Sequence, residues 1–340
     1  MMTRLLILWC SGVFCLAGSS RTIEAMATEP HFVTIALGTA GGLTEANLSS
    51  YLLAPVGSTD YVALDAGTLF TGLEAANRKG NLTAFAVPPT SALSVEGHVL
   101  TQHIKAYLLS HAHLDHVAGL VLNSPDDTPK PILGLPATIE PLQTHLFNGK
   151  IWPNFGDAGP GVPLKKYQLV RLRPREAYAI AGTQLTVTPF PLCHAGEPST
   201  AFLLHAQGAS ALYVGDTGPD AVEHCNALHD LWQVSAPLVR QGTLRGIFVE
   251  VSYPDEREVS RLYGHLTPRW LMVELHRLAA LVSPDEPTTA LRGLTVMVSH
   301  IKPSYHRAHL ERAQIMEQVA ALNDIGVRFV FPEQGDRIAF

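Results

Sequence analysis

The segment His111-Ala112-His113-Leu114-Asp115-His116 restricts the possible folds of this chain more than any other stretch. It sets three imidazoles and one carboxylate directly after the apolar run Ala106-Tyr107-Leu108-Leu109-Ser110, which reads as a buried strand. A strand that ends in so many donors is half of a metal site. Its remaining ligands must come from elsewhere in the chain, so the fold has to bring distant strand ends together. Nitrogen and oxygen donors without thiolates favour zinc, with manganese and iron as alternatives.

The bulk composition allows such a fold. A chain of 340 residues with 46% hydrophobic residues is long and apolar enough for a large packed core. The net charge of -6 disfavours long nucleic acid as a substrate. It leaves open a small anion, whose local field would be set by bound cations. At the N-terminus, Arg4 precedes an apolar run from Leu5 to Gly18, and Ala25-Met26-Ala27 follows. This is the pattern of a secretory signal over residues 1–27, cut near Ser19 or after Ala27. The expected location is therefore periplasmic or secreted, with no membrane span after processing; a retained anchor is the alternative. Cys10 and Cys15 fall in this leader, so only Cys193 and Cys225 remain to form a disulfide. The spacing does not decide whether they pair.

Residues 28–340 read as one catalytic domain, since no candidate domain boundary has linker composition. Strands are predicted at 32–37, 47–54, 61–65, 106–110, 168–172, 184–190, 201–206, 211–215, 246–251, 294–299 and 327–331. Helices fit 69–78, 117–122, 138–147, 219–232, 268–282 and 307–322. Asp126 to Pro131 reads as a linker and Lys150 to Lys165 as a long loop. Gly38-Thr39-Ala40-Gly41-Gly42 closes the first strand as a tight turn near the site or, alternatively, as a phosphate cradle. That many apolar strands would be buried by two sheets packed face to face with helices outside. Such an architecture suits an internal duplication, but no sequence repeat is visible.

Three later strands also finish in ligand types: Phe190-Pro-Leu-Cys-His194, Leu212-Tyr-Val-Gly-Asp216 and Val296-Met-Val-Ser-His300. A single strand-end histidine is usually structural, but three such ends beside the central cluster point to one shared site.

This set of motifs resembles the metallo-β-lactamase fold, an αββα sandwich of two packed mixed sheets with outer helices. More narrowly, the stretch from His111 to Pro125 is similar to the signature of the class II cyclic-nucleotide phosphodiesterases. Phe147-Asn-Gly-Lys-Ile-Trp-Pro153 and Tyr263-Gly-His-Leu-Thr-Pro268 also look like that family. The resemblance implies that His111, His113 and His194 hold one Zn2+, that Asp115, His116 and His300 hold a second, and that Asp216 bridges them. Mn2+ or Fe2+ would be substitutes. It further implies hydrolysis of 3′,5′-cyclic nucleotides, cAMP and also cGMP, to 5′-monophosphates by water activated between the ions.

His265, oriented by Glu250, is the expected proton donor to the leaving 3′ oxygen, with a structural hydrogen-bonded pair as the alternative. Asp115 belongs to the catalytic group through the second metal. Phe147 and Trp152 are expected to face the purine, Asn148 a base or ribose edge, and Lys302 a phosphate oxygen. The remaining histidines are expected to be structural or solvated. The partner is a small cyclic nucleotide, and the oligomeric state stays open, a dimer included. Rival readings are another hydrolase on this fold (lactonase, thiolesterase, β-lactamase or nuclease) and a non-catalytic zinc-binding protein.

Overall fold

The computed structural model describes residues 29–305 and 310–340. The expected signal segment, residues 1–27, lies outside the described residues.

In chain order the strands are β1 (Phe32–Gly38), β2 (Ser50–Pro55), β3 (Tyr61–Leu64), β4 (Ile104–Leu108), β5 (Lys130–Gly134), β6 (Tyr167–Arg171), β7 (Tyr178–Ala179), β8 (Thr186–His194), β9 (Glu197–Ala206), β10 (Ala209–Val214), β11 (Leu244–Glu250), β12 (Thr295–Ser299), β13 (Arg328–Val330) and β14 (Arg337–Ala339). The helices are α1 (Phe70–Arg78), α2 (Val95–His98), α3 (Leu114–Asn123), α4 (Pro136–Pro141), α5 (Asp220–Glu223), α6 (Ala227–Arg240), α7 (Pro268–Val282) and α8 (Leu310–Leu322).

The strands form two seven-stranded sheets, ordered β14-β1-β2-β3-β4-β5-β6 and β13-β12-β11-β10-β9-β8-β7. Both follow one plan. The pairs β14/β1, β1/β2 and β2/β3 are antiparallel, and β3/β4, β4/β5 and β5/β6 are parallel. The second sheet repeats this, with β7/β8, β8/β9 and β9/β10 antiparallel and β10/β11, β11/β12 and β12/β13 parallel. The duplication invisible in the residues is therefore present in the pairing. The first sheet takes its edge strand β14 from the far end of the chain, whereas the second is built from the consecutive strands β7 to β13.

One core layer lies between the sheets, including Tyr51, Phe202, Tyr213 and Phe248. A second packs helices on the outer face of the first sheet through Leu73, Leu120 and Ile139. A third buries Trp232, Leu271 and Leu275 of α6 and α7 against the second sheet. Parallel strands covered on both faces read as unbroken apolar runs, which is why β4, β11 and β12 stand out in the sequence.

The predicted helix over 268–282 has the observed bounds of α7, with Pro268 in its first turn. The helix predicted over 219–232 breaks into α5 and α6, because His224 turns left-handed at φ 53°. The buried Asp220 carboxylate then accepts from the amides of Leu228 (3.0 Å) and His229 (2.9 Å), which satisfies the first turn of α6. The predicted helix over 138–147 is α4 followed by a π-turn at Leu142–Leu146. Three short strands, β5, β7 and β14, have no sequence-level signal. The supposed linker at Asp126 to Pro131 runs into β5. Its Asp127 carboxylate is buried, accepting from Tyr107 (2.7 Å) and Tyr167 (2.8 Å) and pairing with Lys130 at 2.7 Å. Charged residues in such a stretch read as solvated, but here they pair with each other inside the sheet. Cys193 and Cys225 are joined as a disulfide, tying the end of β8 to the segment between α5 and α6.

Candidate metal centre and active site

Strand direction explains why the ligands meet. Strands β8, β10, β11 and β12 all run the same way, so His194, Asp216, Glu250 and His300 leave one edge of the second sheet. The first sheet delivers His111 to His116 from the end of β4 and the first turn of α3. The Oδ2 atom of Asp216 lies 3.1 Å from His300 Nε2, 3.3 Å from His116 Nε2, and 3.9 Å from the Nε2 atoms of His111 and His194. His300 Nε2 is 3.3 Å from Asp115 Oδ2, and His111 Nε2 is 2.9 Å from His113 Nδ1. All seven sequence-predicted ligands are in one place.

Four of the imidazoles are aimed by a partner on the opposite nitrogen. The Nδ1 of His111 meets Ser110 Oγ at 3.0 Å, that of His116 meets Asp65 at 2.8 Å, that of His194 meets the Gly264 carbonyl at 2.8 Å, and that of His300 meets Ser252 Oγ at 3.0 Å. Each partner takes the Nδ1 proton and leaves the Nε2 lone pair pointing inward, as metal-ligating histidines require.

Burial holds His111 well below the usual imidazole range and lowers His113, His194 and His300, so these rings are neutral, as imidazole donors to a cation must be. Burial also disfavours the Asp216 carboxylate, but His300 and His116 outweigh it and keep the group ionised. For His116 burial is outweighed by Asp216 and Asp65 on either side, which push it well above the ordinary value. A ring held between two carboxylates this way offers its inner nitrogen either to a proton or to a cation.

Sequence reasoning missed Asp65. It is fully buried at the end of β3 and accepts from the Ser110 amide, Ser110 Oγ and Tyr213 OH, each at 2.7 Å, besides His116. One carboxylate therefore orients two ligand histidines, His116 directly and His111 through Ser110. Its place shows only in the fold: β3 holds the same position in the first sheet as β10 does in the second, so Asp65 is the counterpart of Asp216.

The backbone is bent around the site. Asp65, Ala195, Tyr263 and His300 all adopt positive φ, between 50° and 56°. For a non-glycine residue this is costly and marks a conformation imposed by its surroundings. The glycine turn after β1 belongs here as well. A Cβ on Gly41 would lie 2.4 Å from the His300 ring, so glycine is there for close approach. Gly41→Ala is expected to weaken metal retention by about 10–100-fold, as loss of ligand orientation does, measurable by dialysis and metal analysis; unchanged retention would contradict this packing role.

Glu250 and His265 are paired as expected, His265 Nδ1 to Glu250 Oε1 at 2.9 Å, with both residues buried. His265 Nδ1 is also 3.8 Å from Asp216. Lys302 Nζ stands 3.8 Å from Asp115 Oδ2, at the edge of the centre.

Three expected substrate contacts are corrected. Phe147 is fully buried and stacks on Tyr167 with ring centroids 6.0 Å apart, leaving no face for a base. The Asn148 side chain is consumed by its own loop: it accepts from the amides of Lys150 and Ile151 and donates to the Thr144 and His145 carbonyls. The Trp152 indole donates to Ser124 Oγ at 3.0 Å. Ser124 follows the last residue of α3, a helix that starts at the metal cluster and is about 15 Å long. The motif is therefore structural, and its aromatic residues serve the core at the far end of the sheet. Phe147→Ala should cost about 3–5 kcal/mol of stability, read by denaturant unfolding, and leave KM unchanged; a raised KM in the folded variant would restore the substrate role.

A family model described as cAMP phosphodiesterases class-II matches residues 26–335. The chain belongs to that family. Among its relatives, the 3′,5′-cyclic-nucleotide phosphodiesterase of Aliivibrio fischeri is 43% identical over 310 residues, covering 91% of this chain and 93% of that protein. A probable 3′,5′-cyclic-nucleotide phosphodiesterase of Yersinia pestis is 39% identical, covering 91% and 89%. The structure of unliganded yeast PDE1 superposes with a TM-score of 0.79 at 26% identity, covering 92% of this chain and 100% of that one. The Bacillus subtilis protein YhfI, a metallo-β-lactamase fold protein, aligns with a TM-score of 0.56 at 15% identity, which bears on the fold alone. The metallo-β-lactamase architecture expected from the motifs is the observed one.

Proposed function

We propose that this chain hydrolyses 3′,5′-cyclic nucleotides, cAMP first and cGMP second, to the 5′-monophosphates with two Zn2+ ions, for which Mn2+ or Fe2+ would substitute. The observation that carries this reading is the convergence of seven donors, four of them histidines aimed inward by their Nδ1 partners, in a member of this family. The donor set fits two divalent cations: His111, His113 and His194 on one side, Asp115, His116 and His300 on the other, and Asp216 between them. Bound there, such ions neutralise phosphoryl oxygens and make water nucleophilic near neutral pH.

The chain's own groups then handle the leaving oxygen. Burial, with Asp216 next, pushes the Glu250 carboxyl up to about 7, and burial pushes His265 down to about 4. Near neutral pH the dyad is therefore a protonated Glu250 donating to Nδ1 of a neutral His265, which carries its own proton on Nε2. As Nε2 gives that proton to the departing 3′ oxygen, Nδ1 takes the one from Glu250. Above about 7 Glu250 ionises, Nδ1 becomes the donor, and Nε2 has no proton to give. We expect kcat to carry a falling limb where Glu250 ionises, with Glu250→Gln abolishing this limb. An identical profile in the variant would remove Glu250 from the proton transfer.

We assign Lys302 to a non-bridging oxygen, a role supported by its position 3.8 Å from Asp115. With Phe147 buried in the core, apolar surfaces we assign to a base are the exposed Leu114, between two ligands, and Tyr263, beside the Gly264 that orients His194. Export to the periplasm or medium would place the enzyme outside the cytoplasm, as the pattern over residues 1–27 suggests; cell fractionation checks it. The activity itself is tested by incubating the zinc-loaded mature chain with cAMP and separating products. Formation of 5′-AMP supports the reading, whereas 3′-AMP or no product from metal-loaded protein refutes it.

A further inference from the structure

We propose that the end of the sandwich opposite the metal centre carries a second ligand site, a cleft for a phosphorylated small molecule with a flat apolar body, the chemistry of a nucleoside monophosphate. The cleft has a volume of about 670 Å³, within the range of small-molecule sites. The first residues of three parallel strands line it: Leu244 of β11, Thr295 of β12 and Arg328 of β13. Because β11 reaches the metal centre only at its other end, at Glu250, the two sites are about 20 Å apart.

Three arginines, Arg245, Arg292 and Arg328, line this one cavity. Among the described residues none of the three is paired with a carboxylate, although the chain as a whole carries a net charge of -6. Arg245 is held from one side only. His31 Nδ1 meets the Glu29 carbonyl at 2.9 Å, which leaves its Nε2 to accept from Arg245 at 3.4 Å. The Nε of Arg245 is buried with no hydrogen-bond partner. Buried donors are rarely left unmatched, and a guanidinium fork matches the paired oxygens of a phosphate. The partly buried Val239 and Ala290 supply apolar surface beside these charges, over the buried Leu244 and Leu294. A lining that mixes cationic and apolar side chains suits an anion attached to a flat ring better than a free anion.

The proposal borrows from the functional reading only its probe. Metal-loaded protein is titrated calorimetrically with 5′-AMP and with inorganic phosphate, for the parent, for Arg292→Ala/Arg328→Ala and for Arg245→Lys, while cAMP turnover without added anion is measured in parallel. The expected result is two classes of 5′-AMP site in the parent, one of them weakened at least about tenfold in both variants, with basal turnover unchanged and phosphate binding weaker than 5′-AMP at that site. A single class in the parent, or a second class that persists in the variants, overturns the proposal. So does a second site that binds phosphate as tightly as 5′-AMP. Absence of cAMP hydrolysis would instead refute the functional reading and leave the binding result to stand by itself.

Discussion

Replacing Asp216 with alanine is expected to remove most of the bound metal and to lower turnover by at least about 10²–10³-fold. Its carboxylate lies within 4 Å of ligand nitrogens from both donor sets, 3.1–3.9 Å from His300, His116, His111 and His194. Without it the Nε2 atoms of His116 and His300, 3.2 Å apart, lose the carboxylate that both approach. Asp216→Asn separates charge from shape: it keeps an oxygen in place, and should retain more metal than alanine while still losing most of the rate. Metal analysis alongside kcat decides the matter, and a variant that kept both its metal and its rate would show that Asp216 is peripheral. Asp65→Asn should produce a milder version of the same loss, about 10–100-fold in metal affinity, because it disturbs His116 and His111 without touching the ions.

His265→Ala tests a different claim, and its expected signature is a split between substrates. With cAMP, kcat should drop by about 10²–10⁴-fold, the usual worth of a positioned proton donor. With a phosphodiester whose leaving group is a p-nitrophenolate, which departs without a proton, the rate should stay close to the parent's. Metal content should also be unchanged, since His265 Nδ1 is already committed to Glu250 at 2.9 Å. This last point matters because His265 lies near enough to Asp216 and His194 to be counted among the potential donors. Equal losses on both substrates together with loss of metal would make His265 a ligand and not the acid.

How much of this was legible beforehand depended on how local each signal is. The six-residue cluster at the end of β4 is contiguous and needed no partner to be recognised. His194, Asp216 and His300 were readable because each closes a buried apolar run, and parallel order brings such ends to one edge. Asp65 closes a shorter strand and its role depends on Ser110, Tyr213 and His116, which only the fold brings to it. The residues Phe147, Asn148 and Trp152 failed in the opposite sense. Aromatic and amide side chains in a proline- and glycine-rich loop look available, but whether they face solvent or core is settled by Tyr167 and Ser124, distant in the chain. The edge strands β7 and β14 are too short for any periodicity to show.

The most direct measurement is a crystal structure of the zinc-soaked mature chain with data collected on both sides of the zinc absorption edge. Two anomalous peaks about 3.5–4 Å apart should appear, one within bonding distance of His111, His113 and His194, the other of Asp115, His116 and His300, with Asp216 touching both. A single peak, or peaks bound by other residues while these seven side chains stand metal-free, would contradict the two-ion centre from which the hydrolytic reading follows.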